Sequence, residues 1–141
     1  MRIATEDDRK TVEEIVRAAY EPWIEVIGTP PLPLESDYRA LIEAGHVHLD
    51  GDRALIVLIP EPDVLLVDNV AVRPGLHGQG IGRELLAFAE AEARRLGLSA
   101  LRLYTNVKMA RNIRLYESLG YVSQGVVGLK GRQAVHFRKE L

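Results

Sequence analysis

One segment constrains this chain more than any other: Val70-Ala71-Val72-Arg73-Pro74-Gly75-Leu76-His77-Gly78-Gln79-Gly80-Ile81-Gly82-Arg83. An apolar strand enters it, a proline and several glycines turn it, and an amphipathic helix leaves it. Such a turn aims backbone N–H groups into one concavity at a helix N-terminus. The orphan donors and the positive end of the helix dipole there suit a phosphate or pyrophosphate. Two phosphate-binding schemes fail on the residues themselves. A Walker loop starting at Gly75 needs Lys directly after Gly80, where Ile81 stands, and a dinucleotide fingerprint starting at Gly78 needs Gly at Arg83.

The rest of the chain is read around that turn. With 141 residues, 47% hydrophobic and 27% charged, it has material for one domain (residues 1–141) and is too apolar for disorder. Eighteen Lys and Arg against 20 Asp and Glu give no overall basic field, so no nucleic-acid partner is expected. The absence of cysteine removes disulfides, thiolate nucleophiles and Cys-ligated zinc together. The acidic start, Glu6-Asp7-Asp8, has no signal-peptide core, and the longest apolar run, 54–59, is too short to cross a bilayer. No membrane partner is expected, and a reducing cytoplasmic setting is the default.

Val12, Ile15, Val16, Ala19 and Trp23 recur at helical spacing after a capping box, Thr5 with Asp8. Gly28-Thr29-Pro30-Pro31-Leu32-Pro33 forbids continuous helix and reads as a surface loop or as the mobile wall of a binding site. A short helix is expected over 37–44, then strands over 46–49, 53–59 and 64–73, with Asp50-Gly51 as a hairpin turn. A helix over 80–96, a strand over 100–105, a helix over 109–119 and strands over 121–127 and 133–139 complete the chain. The predicted order, β-α-α-β-β-β-α-β-α-β-β, mixes hairpins with a strand-helix-strand crossover. That combination implies a mixed α+β fold (α/β) with a mixed sheet and helices on both faces.

A second segment adds to the turn. Tyr104-Thr105-Asn106 is followed by Met109, Asn112 and Tyr116, and Leu115-Tyr116-Glu117-Ser118-Leu119-Gly120-Tyr121 ends its helix in Leu-Gly-aromatic. The two segments, in this order, resemble the GNAT superfamily of acyl-CoA-dependent N-acyltransferases. The turn is similar to that family's Arg/Gln-x-x-Gly-x-Gly/Ala signature aligned on Gly80 and Gly82, with His77 where the family has Arg or Gln. The resemblance implies a central mixed sheet of six to seven strands, splayed between the fourth and fifth, with the pantetheine arm of acetyl-CoA entering the gap. Backbone groups of Val70, Ala71 and Val72 would meet the arm as another strand does. Gly78, Gln79, Gly80, Ile81, Gly82 and Arg83 would carry the pyrophosphate, and Asn112 and Tyr116, one helical turn apart, would face the arm. Read without the family, Asn112 is a capping or solvated residue and Tyr116 a core tyrosine.

Direct transfer needs a neutral amine, a held oxyanion and a protonated leaving sulfur. Tyr116 is the candidate general acid, since its ordinary pKa near ~10 keeps it protonated. A backbone N–H of the 70–72 strand polarises the thioester oxygen. The resemblance implies a carboxylate base on the strand preceding the glycine loop, which makes Asp68 the candidate. It shares the pleat parity of Val70 and Val72 unless a bulge reverses it, with a structural carboxylate as the alternative, and Glu25, His46 and His48 are further candidates. His46-x-His48 lacks a nearby third ligand and reads as a polar strand face, so no metal is expected. Lys108, Arg111 and Arg114 read as a solvated face or, for one of them, as a partner of the 3′-phosphate of CoA.

The reading is an acetyltransferase using acetyl-CoA, whose acceptor is an amine on a small molecule or polypeptide. The acceptor side is placed near Trp23, Glu25, the proline loop and the last hairpin. Glu21, Glu25, Glu35 and Asp37 suit a cationic acceptor or a solvated surface. Family analogy suggests a monomer or homodimer. The rivals are a non-catalytic acyl-CoA-binding sensor and a nucleotide-binding module.

Overall fold

Strand formation follows the apolar alternation of the middle of the chain. In a computed structural model that describes residues 1–76 and 78–141, β1 (Arg2–Ile3), β2 (Val47–Asp50), β3 (Ala54–Pro60), β4 (Val64–Val72), β5 (Ala100–Asn106), β6 (Val122–Leu129) and β7 (Arg132–Glu140) form one sheet. Their order is β1-β2-β3-β4-β5-β7-β6. β4 and β5 are parallel, while the β1–β2, β2–β3, β5–β7 and β6–β7 pairs are antiparallel. The mixed sheet expected from the hairpins and the crossover is therefore present.

The helices are α1 (Arg9–Tyr20), α2 (Ile24–Ile27), α3 (Tyr38–Glu43), α4 (Ile81–Arg95) and α5 (Ala110–Ser118). Val12, Ile15, Val16 and Tyr20 form the buried stripe of α1. The capping box forms, with the Asp8 carboxylate accepting from the Thr5 N–H at 2.8 Å, but it opens a 3-10 turn (Glu6–Asp8) that leads into α1. The same carboxylate takes both Arg2 guanidinium nitrogens at 2.7 Å. Trp23 does not continue the α1 stripe. Pro22 lacks an N–H for the helical ladder, and Glu21–Trp23 tightens into a 3-10 turn before α2. Asp37 caps α3 by accepting from the Ala40 N–H at 3.1 Å. Tyr121 is buried ahead of β6, which starts at Val122.

Two compact units divide the chain: Met1–Leu58 with Asn69–Leu85, and Ile59–Asp68 with Leu86–Leu141. β3, β4 and α4 each run through both. In the first unit α1, α3 and the proline segment surround Val12, Ile15, Val16 and Ile42, and β2 and β3 contribute Val47, Leu49, Leu55 and Val57 to the buried set. In the second, Leu101, Leu103, Phe137 and Tyr116 are buried. Register places Leu101 opposite Lys139 and Leu103 opposite Phe137. Phe137 meets Tyr116 of α5, and Lys139 pairs with Glu90 of α4, so α4 and α5 cover the same face of β5–β7.

Candidate functional site

In the first unit the second half of β4 leads into the glycine turn. The Arg73 N–H donates to the Arg53 carbonyl at 3.0 Å. The Glu61 N–H donates to the Val64 carbonyl at 2.9 Å, so positions 64 and 73, of opposite parity, both face β3 and the alternation is broken once between them. Counted back from Arg73, Val70 and Val72 fall on the opposite edge. The parallel ladder of β4 with β5 runs from Val64↔Ala100 to Val67↔Leu103, whereas β4 continues to Val72. Among the described residues that ladder reaches Val67.

Gly78 (φ +83°) and Gly80 (φ +78°) adopt the left-handed conformation that disfavours any side chain. A Cβ built on either meets no atom within 4 Å. Backbone geometry requires glycine there, and the space a side chain would fill is left open. The Gly80 carbonyl accepts the Glu84 N–H at 3.0 Å, the first bond of α4. The amides of Ile81, Gly82 and Arg83 precede that bond, so the helix itself gives them no acceptor. Gly78, Gln79, Gly80 and Arg83 are exposed and Ile81 is buried, which anchors the turn. This fits a diphosphate chemically. The reading of His77 lies outside the described residues.

A buried polar network stands behind this edge. The Tyr20 hydroxyl lies 2.6 Å from Asn69 Oδ1 and 2.7 Å from the Val70 carbonyl oxygen. Asn69 Nδ2 donates to the Tyr38 hydroxyl at 2.8 Å, and that hydroxyl donates to the Pro33 carbonyl at 2.6 Å. Sequence reasoning missed all three side chains. The available signal was Asn69 itself, an amide at a buried alternate position of an apolar strand, which must find partners. Trp23 is half-buried and Glu25 exposed, both in this same unit.

The second unit holds Asp68, Asn112 and Tyr116. Asp68 is exposed, at the alternate positions of β4 that include Leu66, Val70 and Val72. Tyr116 is 6% exposed and packs against Tyr121 (ring centroids 5.8 Å apart) and Phe137 (5.9 Å). Burial pushes its hydroxyl well above the ordinary tyrosine range, so it stays protonated. Asn112 is half-buried one turn before it, with Nδ2 at 3.9 Å from Met109 Sδ. Lys108, Arg111 and Arg114 are exposed.

A second group unseen in the sequence lies on β5 and β7. Glu61 receives Arg102 through two hydrogen bonds of 2.6 Å, and Arg102 also donates to the Tyr104 hydroxyl at 2.7 Å. Tyr104 stacks on its cross-strand neighbour His136 at 4.7 Å. The Arg102 guanidinium holds the Glu61 carboxyl below its usual range. Burial, then Arg102 and Arg138, lower His136, against a weaker opposing pull from Glu61. His46 is half-buried on the chain just before β2 and His48 is 8% exposed within it. Among the described residues no three His, Asp or Glu side chains are grouped to hold a metal ion, and no helix is long and apolar enough to cross a membrane.

This architecture agrees with what the chain resembles. The model of the acetyltransferase (GNAT) family matches residues 12–121. An IAA acetyltransferase of Azospirillum brasilense is 45% identical over 65 residues, 46% of this chain and 42% of that protein. An aminoalkylphosphonate N-acetyltransferase of Salmonella typhimurium is 42% identical over 55 residues, 39% of this chain and 36% of its own length. The chain thus spans less than half of the curated relatives it matches. The crystal structure of the PaiA N-acetyltransferase of Thermoplasma acidophilum in complex with coenzyme A superposes with a TM-score of 0.72 over 99% of this chain and 97% of that one, at 17% identity. The glycine turn entering α4, the strand before it and the helix ending in Leu119-Gly120-Tyr121 are therefore the parts of a known design: the chain belongs to the GNAT acetyltransferase family.

Proposed function

We propose that the chain is an N-acetyltransferase that moves the acetyl group of acetyl-CoA to a primary amine of a small molecule or polypeptide by direct attack. The observation that carries this is the run of backbone from Val70 to Arg83. Strand groups beyond the β4–β5 ladder are followed by a glycine turn whose side-chain space is open at Gly78 and Gly80, and then by helix amides lacking helical acceptors. A diphosphate with a long arm bearing amides matches that sequence of donors and acceptors. The two units are parts of one domain over 1–141 in this reading.

Roles follow residue by residue. Amides of Ile81, Gly82 and Arg83, with Gly78, Gln79 and Gly80, hold the diphosphate; Val70, Ala71 and Val72 supply the strand that the arm lies along. A backbone N–H of Val70 or Val72 stabilises charge developing on the thioester oxygen. The ammonium first gives one proton to Asp68. The neutral nitrogen then bonds to the carbonyl carbon, the carbon–sulfur bond breaks, and the nitrogen's second proton replaces the one that the Tyr116 hydroxyl gives to the sulfur. Tyr116 donates toward the departing sulfur. Burial raises the pKa of its hydroxyl, which keeps it protonated and able to donate. Asn112 hydrogen-bonds the arm. Trp23 and Glu25 border the acceptor, whose cationic amine Glu25 attracts. No metal takes part, and the protein works as a monomer or homodimer in the cytoplasm, where acetyl-CoA is available.

Calorimetry with acetyl-CoA, paired with thiol release across a panel of amines, tests the reading. Binding with turnover on at least one amine is expected. No binding at millimolar acetyl-CoA overturns the donor site; binding without turnover on any amine supports a sensor instead.

A further inference from the structure

The Tyr20–Asn69–Tyr38 network has no role in the assignments above, and its proton count is informative. The Pro33 carbonyl can only accept, so the Tyr38 hydroxyl gives it its proton across 2.6 Å. The Tyr38 oxygen then accepts from Asn69 Nδ2 at 2.8 Å. That fixes the amide, turning Asn69 Oδ1 toward Tyr20. The Tyr20 hydroxyl has one proton and faces two oxygens that can only accept, Asn69 Oδ1 at 2.6 Å and the Val70 carbonyl at 2.7 Å. One proton serves two acceptors.

The Val70 carbonyl lies on the edge of β4 that the Arg73–Arg53 bond leaves facing outward. A ligand amide laid along that edge brings a donor to it. Once the carbonyl accepts from the ligand it competes less for the Tyr20 proton, which shifts toward Asn69 Oδ1. The amide, already oriented by Tyr38, is then held more firmly, and with it the Tyr38 link to Pro33 in the proline loop. The path lies entirely in the first unit: the end of α1, the loop before α3, α3 itself and the second half of β4. Resting on the donor site proposed above, we infer that Tyr20, Asn69 and Tyr38 are positioning residues. They couple occupancy of the Val70 edge to the order of residues 28–36, so that a bound acyl donor firms the acceptor-side loop.

Hydrogen exchange measured by mass spectrometry on the full chain, with and without saturating coenzyme A, tests this. In the wild type, coenzyme A is expected to slow exchange at residues 78–85 and also, by about fivefold or more, at residues 28–38. Tyr38→Phe, which cuts the link at the loop end, keeps the first effect and loses the second. Tyr20→Phe, which cuts it at the strand end, likewise removes the protection of 28–38. A purely structural role would speed exchange of the loop in the free variants but leave the ligand-dependent difference intact, and that result overturns the inference. Protection of 78–85 with no change at 28–38 in the wild type also overturns it while leaving the donor site standing. Protection at neither segment overturns both. If Tyr20→Phe does not fold, Tyr38→Phe alone decides.

Discussion

Replacing Gly80 with alanine separates a backbone requirement from a ligand requirement. Gly80 has φ +78°, and a Cβ there meets nothing within 4 Å. Gly97, which ends α4, has φ +74° and equally open surroundings. Each alanine variant therefore incurs the left-handed penalty, roughly 1–2 kcal/mol, without a steric clash inside the protein. For a chain of this size a loss of 1 kcal/mol lowers the melting temperature by roughly 3–5 °C. Stability thus predicts near-identical variants. Binding predicts different ones. At Gly80 the new methyl occupies the space in front of the helix amides and displaces a diphosphate from at least one of them. A lost hydrogen bond to a charged group is worth about 1.5–3 kcal/mol, or roughly 10- to 150-fold in Kd. Thermal unfolding of both variants alongside acetyl-CoA calorimetry measures the two effects independently. Equal acetyl-CoA affinity in Gly80→Ala and Gly97→Ala, at matched stability loss, would refute the cradle.

Three further outcomes follow from the site. Tyr116→Phe is expected to lower kcat for thiol release by about 10²-fold or more, the usual range for a lost proton donor, with the loss read in steady-state assays on an accepting amine. His136 titrates lower in the folded chain than its ordinary 6.5, so the folded state binds fewer protons. Stability is then full above that ordinary value and declines as pH falls from 6.5 through the lowered folded value; His136→Gln should flatten that part of the melting-temperature profile. Glu61, held below its ordinary 4.5 by Arg102, stabilises the fold above that pH and loses the effect as acid protonates it. Arg102→Met should accordingly weaken the acid dependence on denaturant titration at pH 3–5.

Much of the fold was legible because it is written in local patterns. The alternation of Leu65, Val67, Asn69 and Ala71 as buried positions gave β4, and the spacing of Val12, Ile15 and Val16 gave α1. Where local signals competed, the reading slipped: Trp23 lies at helical spacing from Ala19, yet Pro22 breaks the ladder that would have carried the stripe to it. The turn at 78–83 was legible for a different reason. In the function proposed, backbone amides do the binding there, and the sequence requirement is an absence of side chains at fixed intervals, which a single chain displays openly.

The hydrogen-bonded groups behind that turn were not legible, and the reason is physical. The hydrogen bonds that join Tyr20 to Asn69 and Val70, and Asn69 to Tyr38, span 31 to 50 positions, and no periodicity in the chain relates a helix end, a loop carbonyl and a strand amide. Glu61, Arg102, Tyr104 and His136 meet only because β4 pairs with β5 at one register and β5 with β7 at another. A slip of one residue in the second pairing would turn His136 to the opposite face, away from Tyr104. A buried polar side chain is therefore the one trace such networks leave in a sequence. Asn69 sits among apolar positions of a strand, where an unsatisfied amide would cost roughly 1–3 kcal/mol. Its partners must exist wherever they come from, and the place to look is the edge at which its strand stops pairing with the next.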